Sequence, residues 1–234
     1  MIADNVFIVA EIGVNHGGNI IQAKRLVRAA KLAGANSVKF QLFSCFKHLK
    51  KYEFKKEQWM GLFAHCRLNK IDHFVTPFDR DAVRFLDRQG QTIWKIPSNS
   101  SVVNNPQLLE QIAKTKNRLL TIISTGISDD EEIQRLLGFF SDKKVVLLHC
   151  VSKYPCPIKE LNLERVKHLK EKFNLPVGFS DHSISITAPL EAVKMGSQII
   201  EKHGTLNRNA DGPDHSSSLE PHQFKAMVEY IRRG

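Results

Sequence analysis

Eight short apolar runs, spaced about twenty to thirty-five residues apart, constrain the fold of this chain more than any other feature. They are FIVAEIG (7–13), SVKFQLF (37–43), HFVTPF (73–78), TIWKIPS (92–98), LLTIIST (119–125), KVVLLHCVS (144–152), LPVGFSD (175–181) and QIIEKHG (198–204). Short, rich in β-branched and aromatic residues, they read as buried strands. Stretches with a 3.6-residue period separate them: AKRLVRAAKLAG (23–34), DAVRFLDRQG (81–90), NPQLLEQIAKT (105–115), DDEEIQRLLGFF (129–140), LERVKHLKEKF (163–173) and APLEAVKMG (188–196). SLEPHQFKAMVEYIRR (218–233) is the last helix. Gly34, Gly90 and Gly196 stand where C-terminal caps belong. Ser128 and Asn105, the latter followed by Pro106, are the expected N-caps.

Eight such units in 234 residues predict an α/β chain folded as a single (β/α)8 barrel, one domain over 1–234. A doubly wound open sheet would carry a Gly-rich phosphate fingerprint after its first strand. GVNHGG at 13–18 has the wrong spacing for one.

The charge balance, 34 Lys+Arg against 24 Asp+Glu or +10, raises the question of nucleic acid. The basic residues are spread along the chain and interleaved with acids, as in KKYEFKKEQ and KHLKEKF, which argues against it. An anionic small substrate fits better. No apolar run approaches the roughly 18 residues of a membrane span, and MIADNVFIVAEIG lacks the pattern of a signal peptide. A cytoplasmic chain with no membrane contact is expected. Cys45, Cys66, Cys150 and Cys156 have neither metal-site spacing nor the density of a disulfide scaffold, so reduced thiols are expected.

In a barrel, chemistry sits at the carboxyl ends of the strands, and here those ends are polar. They carry Glu11, Asn15 and His16; Lys39 and Gln41; Thr76 and Asp79; Lys95 and Ser98; Ser124 and Thr125; Ser152 and Tyr154; Ser180, Asp181 and His182; and Glu201 and His203. Glu201 and His203 share a strand face, as do Lys39 and Gln41, so each pair can point into one site. Singly, each Lys or His has an ordinary structural explanation. Repetition over eight strands favours a common site, because buried polar groups are costly unless they meet ligands or each other. His182 and His203, on neighbouring strands at one level, suit a divalent transition metal. Lys39 and Lys95, with the hydroxyls of Ser98, Ser124 and Ser180, suit an anion bearing phosphate. Glu11, Glu201 and Asp214 are the candidates for acid–base work or for holding sugar hydroxyls.

These segments resemble the sialic acid synthases, the NeuB-like condensing enzymes that use phosphoenolpyruvate. The matching motifs are IVAEIGVNHGG (8–18), VKFQ (38–41), TPFD (76–79), KIPS (95–98), STG (124–126), HCVSKYP (149–155), GFSDH (178–182), EKH (201–203) and GPDHSSSLEP (212–221), in family order over nearly the whole chain. The resemblance implies condensation of phosphoenolpyruvate with an N-acylmannosamine-type amino sugar to a nine-carbon 2-keto acid, with release of phosphate. It implies a divalent cofactor held by His182 and His203, Mn²⁺ first and Mg²⁺ or Co²⁺ as alternatives. Lys39, Lys95, Ser98, Ser124, Ser152 and Ser180 would cradle phosphoenolpyruvate. Glu11, Gln41, Thr76, Tyr154, Glu201 and Asp214 would contact the sugar or manage protons, Glu11 nearest the aldehyde. A homodimer is the family's expectation.

Three departures accompany the resemblance. After KIPS the family has Gly and an acidic residue, where this chain has Asn99 and Ser100. The segment 44–72, read as a loop that helps close the site, is shorter than the family norm. The small antifreeze-like domain that follows the family's barrel is expected to be absent from these 234 residues. Other readings of the same residues are condensation with a different aldehyde, a Schiff-base aldolase through Lys39 or Lys95, and a binding barrel without catalysis.

Overall fold

The alternation of strands and helices folds as expected, into a parallel barrel. The computed structural model describes residues 6–43, 47–140 and 144–233. Its strands are β1 (Phe7–Gly13), β2 (Ser37–Leu42), β3 (Asp72–Pro77), β4 (Ile93–Ile96), β5 (Leu120–Ser124), β6 (Val145–Cys150), β7 (Val177–Asp181) and β8 (Ile199–His203). The helices are α1 (Ile20–Leu32), α2 (Lys56–Leu68), α3 (Arg80–Arg88), α4 (Ser100–Val103), α5 (Pro106–Ala113), α6 (Asp130–Leu137), α7 (Glu164–Phe173), α8 (Ala188–Lys194) and α9 (Pro221–Arg233). Among the described residues no helix is long and apolar enough to cross a membrane.

Parallel hydrogen bonding runs in the order β3-β2-β1-β8-β7-β6-β5-β4, and β3 packs beside β4 to complete the ring. At that seam a side chain takes the place of a ladder. The Gln91 amide accepts from Val75 N at 2.8 Å and donates to Val75 O at 2.9 Å, as a peptide group of a neighbouring strand would.

The strands divide their residues by period two. Ile8, Ala10, Val38, Phe40, Val75, Trp94, Ile96, Ile123, Leu147, Phe179 and Ile200 face outward and form the main core with the helices. Phe7, Val9, Phe74, Ile93, Leu120, Ile122, Val146, Leu148 and Ile199 face inward and plug the lower barrel. Two residues beyond Val9, Phe74, Ile93, Ile122 and Ile199 on the same inward faces, the lining turns polar at Glu11, Thr76, Lys95, Ser124 and Glu201. That change of character puts the site at the carboxyl end.

The helices follow their apolar spacing. In α1, Ala23, Leu26, Val27 and Ala30 are buried, and Asn19 caps the first turn through the amides of Ile21 and Gln22. Asn105 caps α5 with Pro106 in its first turn. Gly34, Gly90 and Gly196 each follow a helix at positive φ, as the cap requires. Two expectations are corrected. The N-cap of α6 is Asp129 rather than Ser128: the Asp129 carboxylate accepts from Glu132 N at 2.8 Å, and a carboxylate answers the helix dipole better than a hydroxyl. The segment 44–72 is also more than a loop, because Trp59, Leu62, Phe63 and Cys66 recur at helical spacing and bury one face of α2. Cys66, Cys150 and Cys156 are free thiols, while Cys45 lies outside the described residues.

Two glycines test the packing with opposite signs. A Cβ at Gly178 in β7 would lie 2.6 Å from both Ile199 O and Leu148 Cδ1, and the backbone oxygen cannot move aside. Gly178→Ala should cost about 1–3 kcal/mol. Gly61, inside α2, has open space around its Cβ position, and Gly61→Ala should gain about 0.5–1 kcal/mol. Urea unfolding of both variants measures the two signs.

Candidate active site

At the carboxyl end the barrel opens into a cavity of about 420 Å³. Glu11, Lys39, Gln41, Lys95, Ser98, Ser124, Tyr154, Ser180, His182, Glu201, His203 and Asp214 line it, so twelve of the expected residues meet in one place. A groove of about 570 Å³ at the other end of β3 and β4 runs past Arg67, Asp72, His73 and Gln91, and none of the polar strand ends reaches it.

The centre of the cavity is a buried cluster of four charges. Lys39 Nζ lies 3.0 Å from Glu11 Oε1 and 3.5 Å from Glu201 Oε2, and Lys95 Nζ lies 3.2 Å from Glu201 Oε1. Strands β1, β2, β4 and β8 each supply one group. Glu11 Oε1 also accepts from Gln41 Nε2 at 2.9 Å, and Glu201 Oε1 accepts from Ser180 Oγ at 2.9 Å. Glu11 Oε2 is buried without a hydrogen-bond partner.

One environment treats the two carboxylates differently. Burial, only partly offset by Lys39, pushes Glu11 up from 4.5 to about 7. Burial opposes ionisation of Glu201 as well, but Lys39 and Lys95, with the hydrogen bond from Ser180, prevail and hold it at about 2. Burial also works against the Lys39 ammonium, where Glu11 and Glu201 outweigh it and raise its proton affinity. At Lys95 burial wins over Glu201 and lowers it.

Gly13 closes the space above Glu11. Its φ is +51°, and a Cβ there would lie 3.1 Å from Asp214 Oδ2 and 3.3 Å from Glu11 Oε1. A side chain at this position would be strained and would crowd both carboxylates.

His182 and His203 face each other from β7 and β8 with ring centroids 5.7 Å apart. Burial pulls both down to about 4, so both imidazoles are neutral at physiological pH. His182 Nδ1 donates to Val151 O at 2.6 Å, which leaves the lone pair on Nε2. That nitrogen lies 3.1 Å from the Tyr154 hydroxyl, which can donate to it, and 3.3 Å from Ser180 Oγ, whose proton goes to Glu201. His203 Nδ1 is buried without a hydrogen-bond partner and sits 3.8 Å from Asp214 Oδ2. Two neutral nitrogen donors, one of them orphaned, fit a divalent ion whose remaining positions are open. Among the described residues no group of three or more His, Cys, Asp or Glu forms a fuller metal site.

Two expected contacts lie off the cavity wall. Thr76 is buried a layer below, with Oγ1 3.4 Å from Lys39 Nζ. Ser152 is on the exposed rim, with Oγ 3.4 Å from Ser98 Oγ. Several other polar strand ends have structural work instead. Asn15 Nδ2 donates to Gly204 O and Ser218 Oγ, His16 stacks on Phe54 and takes the Gly18 amide on Nδ1, and Asp79 caps α3. Asp181 faces away from the cavity, paired with Lys202. The sequence reading missed Cys150 and Asn99 as lining residues. The inward series Val146-Leu148-Cys150 was the signal for the first. Asn99 caps the short α4 through Ser101 N.

Comparison with known proteins shows the family to which this barrel belongs. A profile described as the NeuB family matches residues 44–234. The chain belongs to the NeuB family. It is 36% identical to an N,N'-diacetyllegionaminic acid synthase of Campylobacter jejuni, over 97% of this chain and 75% of that protein. It is 32% identical to an N-acetylneuraminate-9-phosphate synthase of Drosophila melanogaster, over 98% of this chain and 68% of that one. The crystal structure of an N-acetylneuraminic acid synthetase from Leptospira borgpetersenii superposes with a TM-score of 0.90 at 38% identity, covering 97% of this chain and 83% of that chain. The single (β/α)8 barrel is thus the fold of this NeuB-family chain, and the part of the Leptospira structure that it covers has the same fold.

The raised proton affinity of Glu11 carries a signature in stability. The folded chain binds this proton more tightly than the unfolded chain, so the stability it contributes is complete below pH 4.5 and is lost as pH rises through about 7. Glu11→Gln removes that slope. Urea midpoints of the wild type, taken relative to the variant, should fall between about pH 5 and about pH 8; a constant difference would contradict the assignment.

Proposed function

We propose that this NeuB-family chain condenses phosphoenolpyruvate with an open-chain N-acylmannosamine-type amino sugar, giving a nine-carbon 2-keto acid and phosphate. The observation that carries the reading is the buried Glu11–Lys39–Glu201–Lys95 cluster beside two neutral histidines in one cavity. The relatives' names supply the product class: they are synthases of legionaminic and neuraminic acids.

In this reaction C3 of phosphoenolpyruvate forms a bond to the aldehyde carbon, and the aldehyde oxygen takes a proton. Water adds at C2, and the C–O bond to phosphate breaks to leave the 2-keto acid. Lys39 and Lys95 exchange part of their pairing with Glu11 and Glu201 for the incoming anion. Ser98, Ser124 and Ser180 donate to it from the cavity wall, and Ser152 from the rim. Glu11, proton-bearing near neutral pH, is placed to give that proton to the aldehyde oxygen. Glu201 stays ionised and fixes the two ammonium groups. Gln41, Tyr154 and Asp214 line the part of the cavity left for the sugar, and Thr76 supports Lys39 from below.

His182 and His203 would hold the divalent cofactor, Mn²⁺ in the first instance. Bound there, such an ion supplies Lewis-acid polarisation of the aldehyde carbonyl. The histidines' own part is fixed by their environment: burial keeps them neutral, and the Val151 carbonyl holds the proton of His182 on Nδ1.

Lys95 gives one specific reason to test a Schiff-base aldolase, since burial lowers its proton affinity. Its contact with Glu201 favours the ammonium and the condensing reading.

The test is direct. Protein incubated with phosphoenolpyruvate, Mn²⁺ and a panel of N-acylated hexosamines, free and phosphorylated, should release phosphate and form a periodate-reactive 2-keto acid. Lys39→Met and Lys95→Met should each lower kcat/KM by about 10²-fold or more, and chelation should abolish turnover. Absence of turnover across the panel would sink the proposal. Inactivation by borohydride in the presence of substrate, with activity indifferent to chelator, would put the aldolase in its place.

A further inference from the structure

A second buried ion pair lies behind the cavity, and none of the chemistry above uses it. Lys202 Nζ donates to Asp181 Oδ2 at 2.6 Å, and both side chains are completely inaccessible. Their Cα atoms are register partners across β7 and β8. By the alternation of the strands both side chains face the helix layer, while Ser180, His182, Glu201 and His203 face the cavity.

The pair grips the chain on both sides of one histidine. Asp181 precedes His182, and its Oδ1 accepts from the amide of Ser183, which follows it, at 2.8 Å. Lys202 Nζ also donates to the Ser183 carbonyl. Lys202 itself is the residue before His203. A single bridge between β7 and β8 is therefore covalently adjacent to both imidazoles. His182 is also held by Cys156 N, which donates to its carbonyl at 3.0 Å, by Val151 O, which accepts from its Nδ1 at 2.6 Å, and by the Tyr154 ring, which stacks on it at 4.0 Å and meets His203 edge-on at 5.9 Å. Of the contacts to His182 and its neighbours, the Asp181–Lys202 bridge is the one made through residues adjacent in the chain to both histidines.

We propose that Asp181 and Lys202 are positioning residues for metal binding: their ion pair sets the spacing of His182 and His203 so that both rings present nitrogen to one divalent transition ion. The proposal rests on the reading of these histidines as metal ligands. Two considerations favour it. A buried ion pair is a poor device for stability, since apolar residues of similar volume often serve as well or better. It is nonetheless directional, and metal ligands need support that holds them to a fraction of an ångström.

The experiment is a titration with Mn²⁺ alone, following the free ion by its electron paramagnetic resonance, with no substrate present. The variant is the double substitution Asp181→Asn/Lys202→Met. It removes both charges together, leaves no unpaired buried ion, and keeps an acceptor for Ser183 N. The expected result is a thermal midpoint near that of the wild type with Mn²⁺ affinity about tenfold to a hundredfold weaker. A folded double variant with wild-type Mn²⁺ affinity would overturn the proposal and leave the pair a purely structural role. Should the double variant not fold, Lys202→Arg keeps Asp181 paired but changes the reach and shape of the cation. Weaker Mn²⁺ binding there supports the proposal, and unchanged binding overturns it. A wild-type chain that binds no Mn²⁺ refutes the histidine reading itself, a result separable from the failure of the positioning role alone.

Discussion

Two carboxylates and two ammonium groups share the floor of the barrel's mouth, nearly out of reach of water, and the geometry of the site depends on how they satisfy one another. Each comes from a different strand, so the cluster crosses the barrel and forms only when the sheet has curled. Removing Glu201 would leave two ammonium groups without their shared counter-ion in a region of low dielectric, where desolvation is costly. Such a cluster is expensive to build and gains little stability over apolar packing, so its presence points to chemistry. Its composition points the same way: both cations can release a carboxylate when an anion arrives, and one carboxylate can take up a proton.

The rest of the barrel makes this arrangement possible by excluding water from below. Phe7, Val9, Ile93, Ile122, Leu148 and Ile199 fill the lower interior, and Glu11, Lys95, Ser124, Cys150 and Glu201 follow them, each two residues after its apolar predecessor on the same strand face. The period of a strand turns one apolar-to-polar step in sequence into one layer in space. The depth of the site is therefore set by where each strand changes character, and the seam between β3 and β4, bridged by Gln91, keeps the ring continuous beside Lys39 and Lys95.

Much of this was legible in the sequence. The eight strands stand within about two residues of the apolar runs, because buried parallel strands are continuously apolar and their ends are marked by polar residues. The period-two rule also fixes what lies behind the site. Ser180 and His182 pointing inward require Asp181 to point outward, and its partner Lys202 stands between Glu201 and His203 for the same reason. The helix α2 was hidden by the charged opening KKEQ, although Trp59, Leu62, Phe63 and Cys66 have the spacing of a buried face. What the sequence could not show is which carboxylate meets which lysine. Glu11 and Glu201 are 190 residues apart by number and come together only through the β1–β8 pairing, Val9 with Glu201 and Glu11 with His203.

Burial acts on Glu11, Glu201, His182 and His203 alike, yet the outcome differs according to the partner. Where no strong partner opposes it, at His182 and His203, it strips the proton and leaves neutral nitrogen donors near a pKa of about 4. At Glu11 only Lys39 opposes it in direct contact, with Lys95 adding little from further off and Glu201 reinforcing it, and the carboxyl is left poised at about 7. Where two cations and a hydroxyl oppose it, at Glu201, it loses, and the carboxylate stays ionised. A single cavity thus holds a candidate ligand pair, a candidate acid and a fixed anion side by side. The number of ammonium groups within reach decides which carboxyl becomes which. That number is set by strand order: Glu201 on β8 reaches both Lys39 and Lys95, whereas Glu11 on β1 pairs with Lys39. The division of labour between two chemically identical side chains therefore follows from the topology of the barrel.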